Sequence, residues 1–355
     1  MTPPGPQAER SSLPLTTPQL PAFAGLLAAV IAFGLAGLTG LLLGWGWVGT
    51  GVLGWALLVV LLPLWSALVE GERRAKDRLV TALVWSAFSL AMIPLVALVY
   101  QVVSNGSAVL SSEFFTYSMR GVLGAGGGIY HALIGTVVVT ACATIISVPI
   151  GVLAAIYLVE YGQGKRLARW ITFLVDVMTG IPSIVAGLFA FALFTMIFGP
   201  AIRFGLGGAV ALSVLMIPIV VRATEEMLKL VPDELREASY ALGVPKWRTI
   251  VKVVLPTALG GIVTGITLAV ARVAGETAPL LIIAGATASP NFNPFEGRMM
   301  TLPVFIYSSV TTGGKYAADN EARAWGAALV LVAIVMILNL AARVIGRAVA
   351  PKTGR

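Results

Sequence analysis

The sequence is poor in the groups on which most soluble chemistry depends: it has one cysteine, one histidine and 11% charged residues in 355. Cys142 has no second thiol, which excludes an intrachain disulfide, and its apolar surroundings are those of a buried structural thiol. With His131 as the one imidazole, no His/Cys metal site can be assembled. Soluble domains carry about 25% charged residues, so the composition excludes a cytosolic enzyme. A nucleotide-binding sequence is missing as well: Gly313-Gly314-Lys315-Tyr316 lacks the preceding glycine and the hydroxyl that a magnesium phosphate site requires. Nor is there a nucleophile elbow or a paired-carboxylate cluster on which to build a membrane enzyme.

What the chain has instead is apolar length. Hydrophobic residues make up 58% of it, with a mean hydropathy of +0.92. Runs near the ~20 residues needed for one bilayer crossing occur at about 23–43, 50–69, 79–103, 132–160, 171–198, 209–224, 257–286 and 325–346. The expected fold class is all-α, a polytopic helical membrane protein of about eight transmembrane helices. Residues 1–22, with Pro3, Pro4, Pro6, Pro14, Pro18 and Pro21 and no apolar periodicity, are expected to form a disordered tail. Arg73, Arg74, Lys76 and Arg78, then Lys165, Arg166 and Arg169, then the stretch from Arg222 to Lys252, assign those loops to the cytoplasmic side. By parity both termini are cytoplasmic, the tail 347–355 included. The same clustering accounts for the net charge of +8 without nucleic acid as a partner.

The longest cytoplasmic loop, 225–256, has its own punctuation. Pro232-Asp233 suits a helix start, Gly243 a left-handed C-terminal cap and Pro245 the first turn of the next helix, so two short helices are predicted. Such a pair suits a docking element or an amphipathic connector on the headgroups. Its Glu237-Ala238-Ser239, Gly243 and Leu255-Pro256 resemble the EAA loop of bacterial ABC-importer permeases, with Ser239 in place of the third alanine and Val253 in place of an isoleucine. Five further strings resemble the phosphate-specific subgroup of that family, in its PstA-type permease: Gly128 to Thr136, Ile156 to Gly162, Gly180 to Phe189, Ile217 to Leu228 and Ala271 to Leu281. The resemblance implies a type I ABC-importer permease core over 79–346, with 23–78 an additional helix pair. It also implies a function, the pathway-forming subunit of an ATP-driven phosphate importer in a bacterial plasma membrane, with no ATPase site of its own. On that footing this chain binds no cofactor and no metal, and ATP and magnesium belong to two partner ATPase subunits. A homologous permease subunit forming a heterodimer, an extracytoplasmic phosphate-binding protein and membrane lipid complete the implied partners. Glu237, Ala238, Ser239 and Gly243 would couple to the ATPase, Ser239 being small enough for close docking.

Arg272 and Glu276 lie inside the seventh apolar run, where a lone charge costs about 2.5–3.5 kcal/mol or more. Spacing of four puts them on one helix face with Gly261, Gly265 and Ala269, a small-residue stripe that admits a neighbouring helix. They read as a structural ion pair or as part of a substrate pathway, and the family resemblance favours the pathway. Pro279 should kink their helix. Arg222, at the end of the sixth helix, is a topological anchor by its charge and a pathway residue by the resemblance. Gly180-Ile181-Pro182 breaks the fifth helix, either as a packing kink or as backbone lining a pathway. Outside, Asn291 to Tyr307 reads as an interfacial segment or a binding surface. Two alternative functions stay open: a permease for another oxyanion, and an ion-coupled secondary transporter with Glu276 as proton carrier, for which the two-helix loop would be superfluous.

Overall fold

The computed structural model describes residues 19–349, with side chains through Gly346. Residues 1–18 of the expected tail and 350–355 at the other end lie outside the described residues. Every regular element among the described residues is helical, and the chain divides into two compact units, Met1–Val99 and Tyr100–Arg355.

In the first unit, α1 (Ala24–Leu43) and α2 (Trp47–Val69) form an antiparallel pair. Alanine or glycine recurs every fourth residue of α1 as Ala24, Ala28, Ala32, Ala36 and Gly40, a buried stripe that lets the helices approach. The approach is close enough that a Cβ on Gly54 would sit 2.4 Å from the ring of Phe33. Glu70 caps α2 and is buried in a clasp. Its carboxylate accepts from Arg78 Nε (2.8 Å), the Ser66 hydroxyl (2.6 Å) and the Leu20 amide (3.0 Å). Those donors, Arg78 foremost, hold its carboxyl down to about 2 from the ordinary 4.5. The next helix, α3 (Glu72–Ser107), starts within the basic cluster and contains the boundary at Val99.

The second unit begins with the short α4 (Ser112–Thr116) and α5 (Tyr130–Ile156), which continues as a π turn to Tyr161. Then follow α6 (Arg166–Thr179), α7 (Ser183–Phe198) and α8 (Gly205–Lys229). The loop after α8 holds α9 (Asp233–Ala241) and α10 (Lys246–Thr249). A π turn, Ile250–Val254, joins α10 to α11 (Leu255–Ala274), and α12 (Ala278–Ile283), α13 (Leu302–Thr311) and α14 (Ala317–Val349) complete the unit. The core lies where α5 and α8 pack, closed by α11 and α13.

Among the described residues seven helices are long and apolar enough to cross a membrane, and an eighth crossing is counted only if α6 and α7 are taken together. The run 171–198 is therefore not one straight helix. It bends by 109° at Gly180-Ile181-Pro182, where Pro182 has no N–H to donate and the Gly180 and Ile181 amides turn back to Val177 and Met178. The resulting α6 is amphipathic, with Trp170, Phe173, Leu174 and Val177 exposed on one face and Arg169, Thr172 and Asp176 on another, the composition of a helix lying along a membrane surface. The outer segment also departs from expectation. Asn291 to Arg298 is a surface turn, but Met299 to Phe305 is interior: the Leu302 amide donates to Thr136 Oγ1 (2.8 Å), and a Cβ on Gly135 would meet the Met300 carbonyl. Cys142 is half-buried beside the core, while His131 is buried with its ring edge-on to Phe305.

Candidate functional site

Three arrangements in the second unit hold the residues singled out by sequence. The first is the loop between α8 and α11. Gly243 has φ +75°, and the Gly243 and Val244 amides return to the Tyr240 and Ser239 carbonyls (2.9 and 3.2 Å), a complete Schellman ending for α9. Pro245 stands just before α10 instead of inside its first turn, and α10 is no separate helix but the start of a continuous helical run, Lys246–Ala274. Glu237 and Ala238 are exposed. Ser239 is not: it is buried, and its hydroxyl shares a 2.8 Å hydrogen bond with Thr249, so it ties the two arms of the loop together and leaves the exposed face to its neighbours. That face is apolar for a water-exposed loop, with Leu242 83% and Trp247 57% exposed.

The loop is anchored by a pair that local spacing could not reveal. Arg236 donates to Glu160 Oε1 from Nε (3.1 Å) and Nη2 (2.9 Å), and also to the Leu228 and Val231 carbonyls and to Asp233. Glu160 lies in the π turn after α5, 76 residues away, and its side chain is 4% exposed. The guanidinium thus satisfies both a buried carboxylate and the open carbonyls at the end of α8.

The second arrangement surrounds Arg222, which lies seven residues before the end of α8 instead of at it. Its Nη1 donates to Glu225 Oε2 (2.8 Å) and its Nη2 to Asp176 of α6, while Lys229 Nζ holds the other oxygen of Glu225 (2.7 Å). Glu225 was within reach of inspection, three residues from Arg222 and four from Lys229. Asp176 was not, because only the bend after α6 brings it there.

The third contains Arg272 and Glu276. The expectation of one shared helix face fails here: α11 ends at Ala274, Glu276 falls in the break before α12, and no ion pair joins the two among the described residues. The cause is Pro279 acting with Gly275, so that the Gly275 and Glu276 amides close short turns onto Arg272 and Val273 and the helix restarts at Ala278. Arg272 is exposed on the isolated chain and Glu276 half-buried. The small-residue stripe packs on α8, Gly261 against Met227 and Gly265 against Ala223, and this antiparallel register carries Arg272 to the level of Met216. At 1.5 Å per residue, that level is about 9 Å along α8 from Arg222, so the two arginines stand at different depths.

A helical membrane chain with a capped two-helix loop and charges at two levels has known counterparts. The family model described as "binding-protein-dependent transport system inner membrane component" matches residues 147–355. The chain belongs to that family. Among curated permeases, it is 50% identical over 277 residues to phosphate transport system permease protein PstA 1 of Mycobacterium tuberculosis H37Rv, covering 77% of this chain and 88% of that one. It is 40% identical over 281 residues to phosphate transport system permease protein PstA of Yersinia pestis, covering 78% and 92%. An inward-facing crystal structure of the MetNI methionine ABC transporter, 24% identical, aligns over 68% of this permease and 100% of that chain with a TM-score of 0.50, which shows the shared fold. This permease is thus an all-α, multi-pass membrane subunit of a transport system, and a transport component in place of an enzyme.

Proposed function

We propose that this permease is the PstA-type subunit of an ATP-driven importer of inorganic phosphate in a bacterial plasma membrane, with both termini cytoplasmic. The observation that carries the reading is the capped loop, which presents Glu237, Ala238, Leu242 and Trp247 to solvent and, among the described residues, ties none of their side chains into a hydrogen bond. An ordered, partly apolar surface on a water-facing loop suits docking to a cytoplasmic ATPase, in which ATP and magnesium would reside. The relatives named as phosphate permeases support the substrate. A homologous permease subunit fits the exposure of Arg272: at the level of mid-α8 an arginine facing lipid would cost about 2.5–3.5 kcal/mol or more, and a facing subunit would turn that surface into a shared pathway. Arg222, Arg272 and Glu276 are assigned to that pathway, Arg222 at its cytoplasmic end. An extracytoplasmic phosphate-binding protein would deliver the anion, and residues 23–78 form a helix pair additional to the permease core.

The test is reconstitution. The purified chain alone should hydrolyse no ATP, and proteoliposomes holding it with a second permease, the ATPase and a phosphate-binding protein should take up phosphate and hydrolyse ATP in response to it. Robust ATPase activity from the chain alone would overturn the proposal, and equal stimulation by sulfate would move it to a broader oxyanion permease. Arg222→Lys keeps the charge and loses the planar fork, so it should impair uptake if Arg222 meets the anion and leave it normal if Arg222 is only an anchor.

A further inference from the structure

The guanidinium of Arg222 is occupied by two carboxylates that differ in how firmly they are held. Glu225 is one turn along the same helix, its side chain 11% exposed and its second oxygen fixed by Lys229. Asp176 comes from another helix, α6, is 59% exposed, and among the described residues is held by Arg222 alone. Resting on the assignment of Arg222 to the phosphate pathway, we infer that Asp176 is a displaceable stand-in for the transported oxyanion: it occupies Arg222 Nη2 when the inner mouth is empty and yields that position to phosphate.

Electrostatics and geometry both favour the exchange. Arg222 and Lys229 balance Asp176 and Glu225, so the empty cluster is neutral. An arginine without such a partner would hold a phosphate strongly and release it slowly, whereas a pathway needs affinity weak enough to leave. With Asp176 present, binding replaces one anion by another on the same donor, and the returning carboxylate helps the phosphate depart. The displaced side chain has somewhere to go. Asp176 itself lines a cavity of about 500 Å³, together with Glu225, Lys165, Arg169, Thr172 and Lys229. Arg169 is seven residues from Asp176, two turns back on the same face of α6, so the carboxylate stays among cations after leaving Arg222. Asp176 also sits one turn before the bend at Gly180, where a change of partner bears on the angle between α6 and α7.

The inference separates Asp176 from a merely structural partner, because removing a stand-in tightens anion binding and damage to a scaffold does not. The experiment is equilibrium binding of radiolabelled inorganic phosphate to the purified complete importer, without nucleotide or binding protein, paired with uptake after reconstitution. Asp176→Asn should bind phosphate about two- to fivefold more tightly, the scale of a partly exposed ion pair, and should turn over more slowly. Asp176→Glu should keep both near the original values. Unchanged or weaker binding in Asp176→Asn overturns the inference. Arg222→Gln, measured in parallel, distinguishes the two levels: loss of phosphate binding there with no tightening in Asp176→Asn sinks the stand-in alone. Original binding and uptake in Arg222→Gln would remove Arg222 from the pathway and the stand-in with it.

Discussion

The loop at 225–254 and the broken helix at 275–284 both join elements that are distant in sequence, and they do it by opposite means. In the loop, chain ends are closed by directed polar contacts: the Schellman bonds at Gly243, the shared hydroxyl bond of Ser239 and Thr249, and the five donor contacts of Arg236. Around α12 no side-chain hydrogen bond forms among the described residues, and close approach replaces them. A Cβ on Gly187 would lie 2.6 Å from Pro279 Cα, and one on Gly207 or Gly208 would strike Ile283 or Leu280. The difference follows the solvent. Beside water, apolar area on a small loop is limited and polar groups must find partners. Where the surroundings are as apolar as the side chains, burial gives little drive, and dispersion across tightly matched small-residue surfaces holds helices together.

The largest expected effect tests the polar half of that contrast. Arg236→Ala leaves the Glu160 carboxylate buried without its cation and should cost about 3–5 kcal/mol locally. Limited proteolysis should then cut the loop rapidly; a loop as resistant as the original would show that Arg236 is not its anchor. Next comes the apolar half. Gly187→Val, which changes no polar contact, should destabilise the unit by about 1–3 kcal/mol through overpacking against Pro279, read as a lower melting temperature in detergent. An unchanged melting temperature would mean that α7 and α12 have room to separate.

Gly243→Val places a β-branched residue at φ +75°, a strain of about 1–2 kcal/mol confined to the end of α9. ATP hydrolysis should become uncoupled from uptake while the melting temperature of the membrane helices holds; normal coupling would reduce the loop to a connector. The smallest effect belongs to the first unit, where an alanine stripe and a polar clasp occur together. Because the folded state holds the Glu70 carboxyl near 2, the clasp's contribution is fully present above the ordinary value of 4.5 and is lost as pH falls from there towards 2. Acid titration followed by the fluorescence of Trp55 and Trp85 should show that transition, and Glu70→Gln should abolish it.

Features that depend on residues close together in the chain were legible in advance. The glycine cap at Gly243, the helix start at Asp233, the break at Gly180-Pro182 and the small-residue face of Gly261 and Gly265 all follow from local backbone and packing rules. Apolar length located α1, α2 and α5 to within about three residues, but the run 257–286 is met by a helix at Lys246–Ala274 and the run 325–346 by one that starts at Ala317, and a count of apolar residues cannot tell a straight helix from a bent pair, which is why α6 escaped it. Periodicity likewise assumed an unbroken helix through Arg272 and Glu276, and Pro279 with Gly275 removed that premise.

By itself, then, the sequence determined how many segments are apolar enough to cross, where caps and prolines interrupt them, and which strings place the chain in its family. All of these are properties of a few consecutive residues. Only the tertiary structure decided which charge meets which. Asp176 reaches Arg222 across 46 residues and Glu160 reaches Arg236 across 76, because the bend after α6 and the docking of α9 put them there. The reason is electrostatic: a carboxylate, whether buried like Glu160 or exposed like Asp176, takes the cation that the packed helices bring within hydrogen-bonding distance, and nothing in its own neighbourhood along the chain specifies which one that will be.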